Sequence, residues 1–232
     1  MLFRQLFDKE SSSYTYLIAD ITTQEAVLVD PVLAQLNRDL ALLIDLGLSL
    51  RYCLETHLHA DRITATGRLR EYTGCLGCVP ENTGATCADR NIKHEEILLL
   101  GQVKIEAIST PGHTDSDMAY LVNGTHLLTG DALFIRGCGR TDFQNGNSGI
   151  LYDSVTQQLF NLPDETLVYP AHDYRGHTVS TIGEERKLNP RFAHKSRDEF
   201  IEFMDNLKLP MPQKIIEALP ANKGCGHLDN AT

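Results

Sequence analysis

The sequence predicts an α+β protein in which two β-sheets pack together and carry helices outside. Two groups of short, alternating strands, each accompanied by helical patterns, lead to this reading. A third observation is that polar, metal-capable residues stand at strand exits in both groups. The 232 residues, 42% hydrophobic and 22% charged, suit one globular domain spanning 1–232 with a sizeable core.

The elements follow in order. Leu2, Arg4 and Leu6, then Tyr14, Tyr16 and Ile18, then Ala26 to Val29 predict consecutive antiparallel strands. Glu10 to Ser13 and Thr22 to Glu25 supply the turns, and Asp30-Pro31 ends the third strand. Leu36, Leu40, Leu43 and Ile44 recur at helical spacing over about Gln35 to Leu46, and Gly47 stops that helix. Arg51 to Glu55 reads as a strand and Ile63 to Tyr72 as a helix, so Thr56-His57-Leu58-His59-Ala60-Asp61-Arg62 is expected to form a tight strand-to-helix turn, in which Asp61 can ligate a metal or cap the helix.

In the second group, Val103 to Ile108 alternates clearly and ends at Thr110-Pro111-Gly112-His113-Thr114. Strands over about Met118 to Val122 and His126 to Thr129 flank the hairpin signal Asn123-Gly124, and the second ends at Gly130-Asp131. A Gly-, Arg- and Asn-rich loop covers Ala132 to Ser148; a helix follows over Ile150 to Leu162. A short strand, Thr166 to Tyr169, closes with Pro170-Ala171-His172-Asp173-Tyr174, and helices are expected over Ile182 to Leu188 and Arg197 to Leu207.

The net charge of −10 and the lack of a basic patch exclude nucleic-acid binding as the main task. The longest apolar stretch, Leu40 to Leu50, is broken by Asp45, Gly47 and Ser49, far short of the roughly 20 residues that span a bilayer. Met1 to Asp8 has neither a signal peptide's apolar core nor a transit peptide's acid-poor character, so a soluble cytoplasmic protein is expected. The six cysteines (Cys53, Cys75, Cys78, Cys87, Cys138, Cys225) are accordingly expected as reduced thiols. Cys75 and Cys78 have zinc-pair spacing, but no second pair completes four thiolates.

His57, His59, His113 and His172 differ from His94, His126, His177, His194 and His227 because each of the four follows a strand, where backbone is fixed and loops stay open to substrate. Thr-His-x-His-x-Asp, Pro-Gly-His-Thr, Thr-Gly-Asp and Tyr-Pro-Ala-His, in that order across residues 56–172, resemble the metal motifs of the metallo-β-lactamase superfamily. More finely, Arg136 to Gln144, Tyr169 to Tyr174 and Glu184 to Arg191 are similar to stretches of the glutathione persulfide dioxygenases, or sulfur dioxygenases. That resemblance implies an αββα sandwich of two mixed sheets flanked by helices. It implies one non-haem Fe(II) per chain, held by His57, His113 and Asp131, and the oxidation of glutathione persulfide by O2 to sulfite and glutathione. Two imidazoles and a carboxylate on one face of iron leave positions open opposite, the arrangement of non-haem Fe(II) oxygenases.

The superfamily also includes two-metal thioester hydrolases of the glyoxalase II type. A second metal would be held by Asp61, a histidine directly after it, and His172; here that middle position is Arg62, which stays protonated and cannot ligate. A guanidinium about 5 Å from a dication would cost at most on the order of 7 kcal/mol at an effective dielectric of about 20. One metal is therefore expected. The persulfide dioxygenases commonly keep a histidine at that position too, so Arg62 argues against hydrolysis more than for dioxygenation. His59, Asp61, Arg62, His172 and Asp173 are expected behind the ligands, orienting them or contacting substrate, with Asp173 holding its loop by backbone hydrogen bonds. Glutathione's two carboxylates call for cations, and Arg140, Arg175, Arg186 and Lys187 are candidates, with Tyr174 a hydrogen-bonding partner. Gly137 and Gly139 are expected to leave room for a substrate backbone. A non-catalytic metal- or glutathione-sensing module is the third reading, disfavoured because structural zinc takes four protein ligands. A homodimer is compatible with the sequence.

Overall fold

The computed structural model describes residues 1–211 and 214–227. The chain divides into two compact units: Met1–Ile92, Leu98–Lys104 and Met211–Thr232 form the first, Lys93–Ile97 and Ile105–Pro210 the second.

In the first unit, β1 (Leu2–Asp8), β2 (Ser13–Asp20) and β3 (Glu25–Val29) form the expected antiparallel strands. Then β4 (Ser49–Leu54), β5 (Leu76–Pro80) and β6 (Arg90–Ile92) add in parallel, giving a mixed sheet of order β1-β2-β3-β4-β5-β6. Parallel neighbours need crossover connections. Helix α1 (Leu36–Asp45), preceded by a 3-10 turn at Leu33–Gln35, makes the crossover from β3 to β4, and α2 (Thr66–Thr73) the one from β4 to β5. Leu17, Leu28, Leu43, Leu50, Cys53 and Leu69 are buried together between strands and helices.

The segment between β4 and α2 departs from the expected tight turn. Thr64 bridges Val32, Leu33 N–H donates to Ile63 O, and Ala65 N–H donates to Pro31 O, so Ile63 to Ala65 is spent on the chain after β3 and the helix starts only at Thr66. Ala65, rather than Asp61, is its N-cap, without a side-chain bond. Strands β5 and β6 and a further helix, α6 (Ile215–Lys223), were not evident from periodicity. Cys87 and Cys225 form a disulfide, contrary to the expectation of reduced thiols throughout; the other four cysteines are buried thiols. Their separation of 138 residues hid the pair from any local spacing rule.

The second sheet has the order β12-β11-β10-β9-β8-β7, from β7 (Ile97–Leu100), β8 (Val103–Ser109), β9 (Met118–Val122), β10 (His126–Leu128), β11 (Leu167–Tyr169) and β12 (Ser180–Thr181). The boundary between units falls within β7 and β8. Asn123 and Gly124, at φ 49° and 70°, turn the β9–β10 hairpin as predicted. Strands β10 and β11 are parallel, and α3 (Ser148–Ser154) lies in the connection between them. The single helix expected over 150–162 is instead α3 continued by a π-helical turn, Val155–Leu159. Helices α4 (Ile182–Leu188) and α5 (Arg197–Asp205) fall where predicted, α5 opening on a Ser196/Glu199 capping box. Leu127, Leu151, Phe160, Val168, Phe192 and Phe200 share this unit's core. Phe200 is fully buried and stacks on Phe192 at 4.8 Å, so its truncation to alanine would cost about 3–5 kcal/mol.

Candidate functional site

Each unit brings part of the predicted constellation to the ends of its strands. In the first, Asp30 directly follows β3 at φ 52°, a left-handed conformation that aspartate tolerates better than most residues. Its buried carboxylate accepts from Thr56 N–H at 2.7 Å through Oδ1 and from the Thr56 hydroxyl at 2.8 Å through Oδ2. The hydroxyl hydrogen is thereby used. Thr56 Oγ1, 3.0 Å from His57 Nδ1, must accept from that nitrogen, which puts the proton on Nδ1 and the lone pair on His57 Nε2. The residues behind His57 thus choose a metal-ready tautomer.

His59 lies 3.1 Å from Asp30 Oδ1 and 3.3 Å from Glu55 Oε2 through Nε2. Burial and the charge of Arg62 push its pKa down, but Asp30, by charge and hydrogen bond, and Glu55 outweigh them and raise it to about 9. Asp30 is held below its ordinary value: burial opposes ionisation, and His59, Arg62 and Thr56 overcome it. Asp30, Glu55 and His59 bring potential ligand atoms within 4.8 Å of one another. Two cations already serve this acid pair. Arg62, 2% exposed, reaches to 3.4 Å from His59 Nε2, 4.0 Å from Asp30 Oδ2 and 3.4 Å from Asp61 Oδ2. Thr64 and Thr66 hydroxyls donate to Glu55.

In the second unit, His113 follows Gly112, where φ is 138° and any Cβ would fall 2.4 Å from the backbone of Leu151. His113 Nδ1 lies 2.7 Å from the carbonyl oxygen of Arg140, which can only accept, so Nδ1 carries the proton and Nε2 the lone pair. That Nε2 is 3.5 Å from Asp131 Oδ2. Asp131 Oδ1, buried, accepts no hydrogen bond among the described residues and lies 3.7 Å from His172 Nε2. An imidazole lone pair and a carboxylate facing one another repel unless a cation stands with them. The donor set therefore fits a metal ion. Asp117 accepts from Thr114 N–H at 2.6 Å and from its hydroxyl at 2.9 Å, bracing the turn after His113; burial raises its pKa to about 6 despite the Thr114 bonds.

Gly139 makes room within the site itself. Its N–H donates to Asp131 O at 2.7 Å, and a Cβ there would sit 2.6 Å from that oxygen and 2.8 Å from His113 Nδ1. The missing side chain makes room for His113 and Asp131. Arg140 gives its carbonyl to His113, while its guanidinium grips Asp142 at 2.6 and 2.8 Å, donates to Pro210 O at 2.6 Å and covers the Phe143 ring. His172 is buried between Phe134 and Tyr174, the latter stacked at 5.8 Å and 71% exposed. Asp173 accepts from Arg175 N–H and from His177 N–H and lies 3.0 Å from His177 Nδ1, tying its loop together. Arg186 and Lys187, on α4, pair with Asp164.

Sequence reasoning missed Asp30, Glu55, Asp117 and Asn222. Asp30 was legible only as the polar residue of Val29-Asp30-Pro31, a strand stop. Asn222 gave no signal: its side chain contacts Thr64, His59 and Arg62, some 158 to 163 residues away.

Residues 8–172 match the profile of the Metallo-beta-lactamase superfamily. The mouse protein named persulfide dioxygenase ETHE1, mitochondrial, is 49% identical over 228 residues, which cover 97% of this chain and 89% of that relative. The human protein of the same name is 47% identical over the same shares of each chain. The crystal structure of ETHE1 from Myxococcus xanthus superposes with a TM-score of 0.95 at 55% identity, covering 98% of this chain and all of that one.

Proposed function

The chain belongs to the metallo-beta-lactamase superfamily and, within it, to the persulfide dioxygenases, and from that membership we propose a mononuclear non-haem Fe(II) enzyme acting on glutathione persulfide. The overall reaction consumes one O2 and one water per persulfide and yields sulfite and glutathione. His57, His113 and Asp131 are the proposed ligands of one iron, in a chain we read as one domain over 1–232. Iron held by these two imidazoles and the carboxylate would supply the oxygen-activating chemistry that the persulfide sulfur requires.

The chain's own residues do the rest. Thr56 and the Arg140 carbonyl hold the two imidazoles in the ligating tautomer. Asp30 orients Thr56, and Gly139 keeps the approach of His113 to Asp131 unobstructed. Behind His57 the charges of Arg62 and His59 are balanced by Asp30, Glu55 and Asp61, so a guanidinium stands where a ligand of a second metal would be needed. His172 and Tyr174 form an aromatic face beside Asp131 on which the persulfide end can rest. Tyr174 and Arg175 are the proposed contacts for the glutathione moiety; Arg140, Arg186 and Lys187 join them by exchanging Asp142 or Asp164 for substrate carboxylates. No described helix is long and apolar enough to cross a membrane, and the cytoplasm is the compartment we propose.

The observation that carries the reading is the His113 lone pair set against Asp131 Oδ2, on a carboxylate whose other oxygen, Oδ1, is buried and accepts no hydrogen bond among the described residues. Anaerobic purification, metal analysis and an oxygen electrode test it. About one iron per chain with persulfide-dependent oxygen uptake is expected, and Asp131→Ala should lose both. Two metals with thioester cleavage and no uptake would establish the glyoxalase II-type hydrolase instead, and metal binding with neither activity a sensing module. Gel filtration tests the homodimer.

A further inference from the structure

The first unit contains a clamp that the proposed chemistry leaves unexplained. Asn222, near the end of α6 and 4% exposed, inserts its amide into the loop after His57. Its Oδ1 accepts from Thr64 N–H at 2.9 Å, and its Nδ2 donates to His59 O and Arg62 O, both at 2.8 Å. One side chain thus satisfies three backbone groups of a stretch that belongs to neither helix nor sheet. A small cavity in this unit is lined jointly by His57, His59, Asn222 and Cys225.

The end of α6 is itself fastened. Gly67 N–H donates to Cys225 O at 2.8 Å, and a Cβ on Gly67 would meet that oxygen at 2.7 Å, so α2 and the α6 terminus approach as closely as glycine permits. Thr86 N–H donates to Lys223 O at 3.2 Å. The Cys87–Cys225 disulfide makes the attachment covalent. Buried side-chain amides with every bond made hold one backbone arrangement, and a bond between distant residues keeps the amide from drifting away.

We propose that Asn222 is a positioning residue for His57, holding the loop that carries it, and that the Cys87–Cys225 bond secures this hold, making it sensitive to thiols. Two equivalents of an external thiol would cleave the bond, giving two cysteine thiols and one external disulfide; the two electrons come from the external thiol. The α6 terminus would then keep only its hydrogen bonds. The inference rests on His57 as an iron ligand and on persulfide oxidation as the activity.

The test uses the full-length iron-loaded protein. Asn222→Ala, Cys87→Ser and wild type pre-reduced with dithiothreitol and desalted anaerobically are compared with untreated wild type. The readouts are kcat and KM for oxygen uptake with glutathione persulfide, the rate of iron loss to a chelator, and the melting temperature. Asn222→Ala should lower kcat about tenfold or more with KM within about twofold, and should shed iron about tenfold faster. Cys87→Ser and the reduced protein should move kcat and iron loss in the same direction by a smaller factor. A folded Asn222→Ala that matches wild type in kcat and iron retention overturns the proposal. Should Asn222→Ala fail to fold, Cys87→Ser decides: wild-type iron retention there overturns the proposal, and faster loss supports it. Wild type without iron or oxygen uptake overturns instead the function on which the inference stands.

Discussion

Replacing Gly139 with alanine adds a methyl group where the chain leaves no space. The added carbon would stand 2.6 Å from Asp131 O, 2.8 Å from His113 Nδ1 and 3.0 Å from Asp131 Cβ. Ordinary contact begins near 3.4 Å, so relief demands displacements of about 0.4–0.8 Å shared among these groups. Overpacking of this kind costs about 1–3 kcal/mol of stability. Misplacement by about 1 Å at reacting groups costs up to about 100-fold in rate, so a loss of about 10- to 100-fold in kcat is expected, with iron bound more weakly. Gly137→Ala is the matched control, because nothing lies nearer than 3.7 Å to a Cβ there and its backbone is outside the left-handed region. Both variants would be purified anaerobically, analysed for iron and assayed with an oxygen electrode beside a thermal melt. A Gly139→Ala protein with wild-type iron and rate, or equal losses in the two variants, would refute the reasoning.

Three further outcomes are expected. Arg62→Met should destabilise the metal-free protein by about 3–5 kcal/mol in urea denaturation, since it removes the guanidinium beside Asp30 and leaves His59 as the cation serving both Asp30 and Glu55; an unchanged midpoint would show that the guanidinium does not balance the Asp30 charge. Asp8 is depressed below its ordinary pKa: burial opposes this, but hydrogen bonds from Ser11 and Gln35 and the charge of Arg38 win. Its stabilisation is present above about pH 4, the unfolded value, and is lost as pH falls through the lower native value, so Asp8→Asn should flatten the acid limb of a stability-pH curve. Ser196→Ala removes the α5 capping box and should cost about 1 kcal/mol by chemical denaturation, with oxygen uptake unchanged.

Strands with one polar and one apolar face were legible because alternation has a period of two. The segment Val103 to Ile108 and the Asn123-Gly124 hairpin are examples. Strand β5, Leu-Gly-Cys-Val-Pro, is buried over four of its five residues and shows no alternation, and β12 is two residues long. Helix α6 contains Pro220 and mixed polarity, which conceal its period. At the candidate site, His113 and Asp131 were readable because turn residues bring them to strand exits. The groups that choose their protonation were not. Thr56, the Arg140 carbonyl and Asp30 act through hydrogen-bond direction, which spacing along a chain does not encode.

The bond from Thr64 N–H to Asn222 also sets an order of events in the cell. The two residues are 158 positions apart, so at roughly 5–20 residues per second the ribosome needs about 8–30 s to add the second after the first. Throughout that interval the stretch from His59 to Thr64 is without the amide that fastens it in the finished protein. Its final shape is a late product of synthesis, set after both six-stranded sheets have been translated.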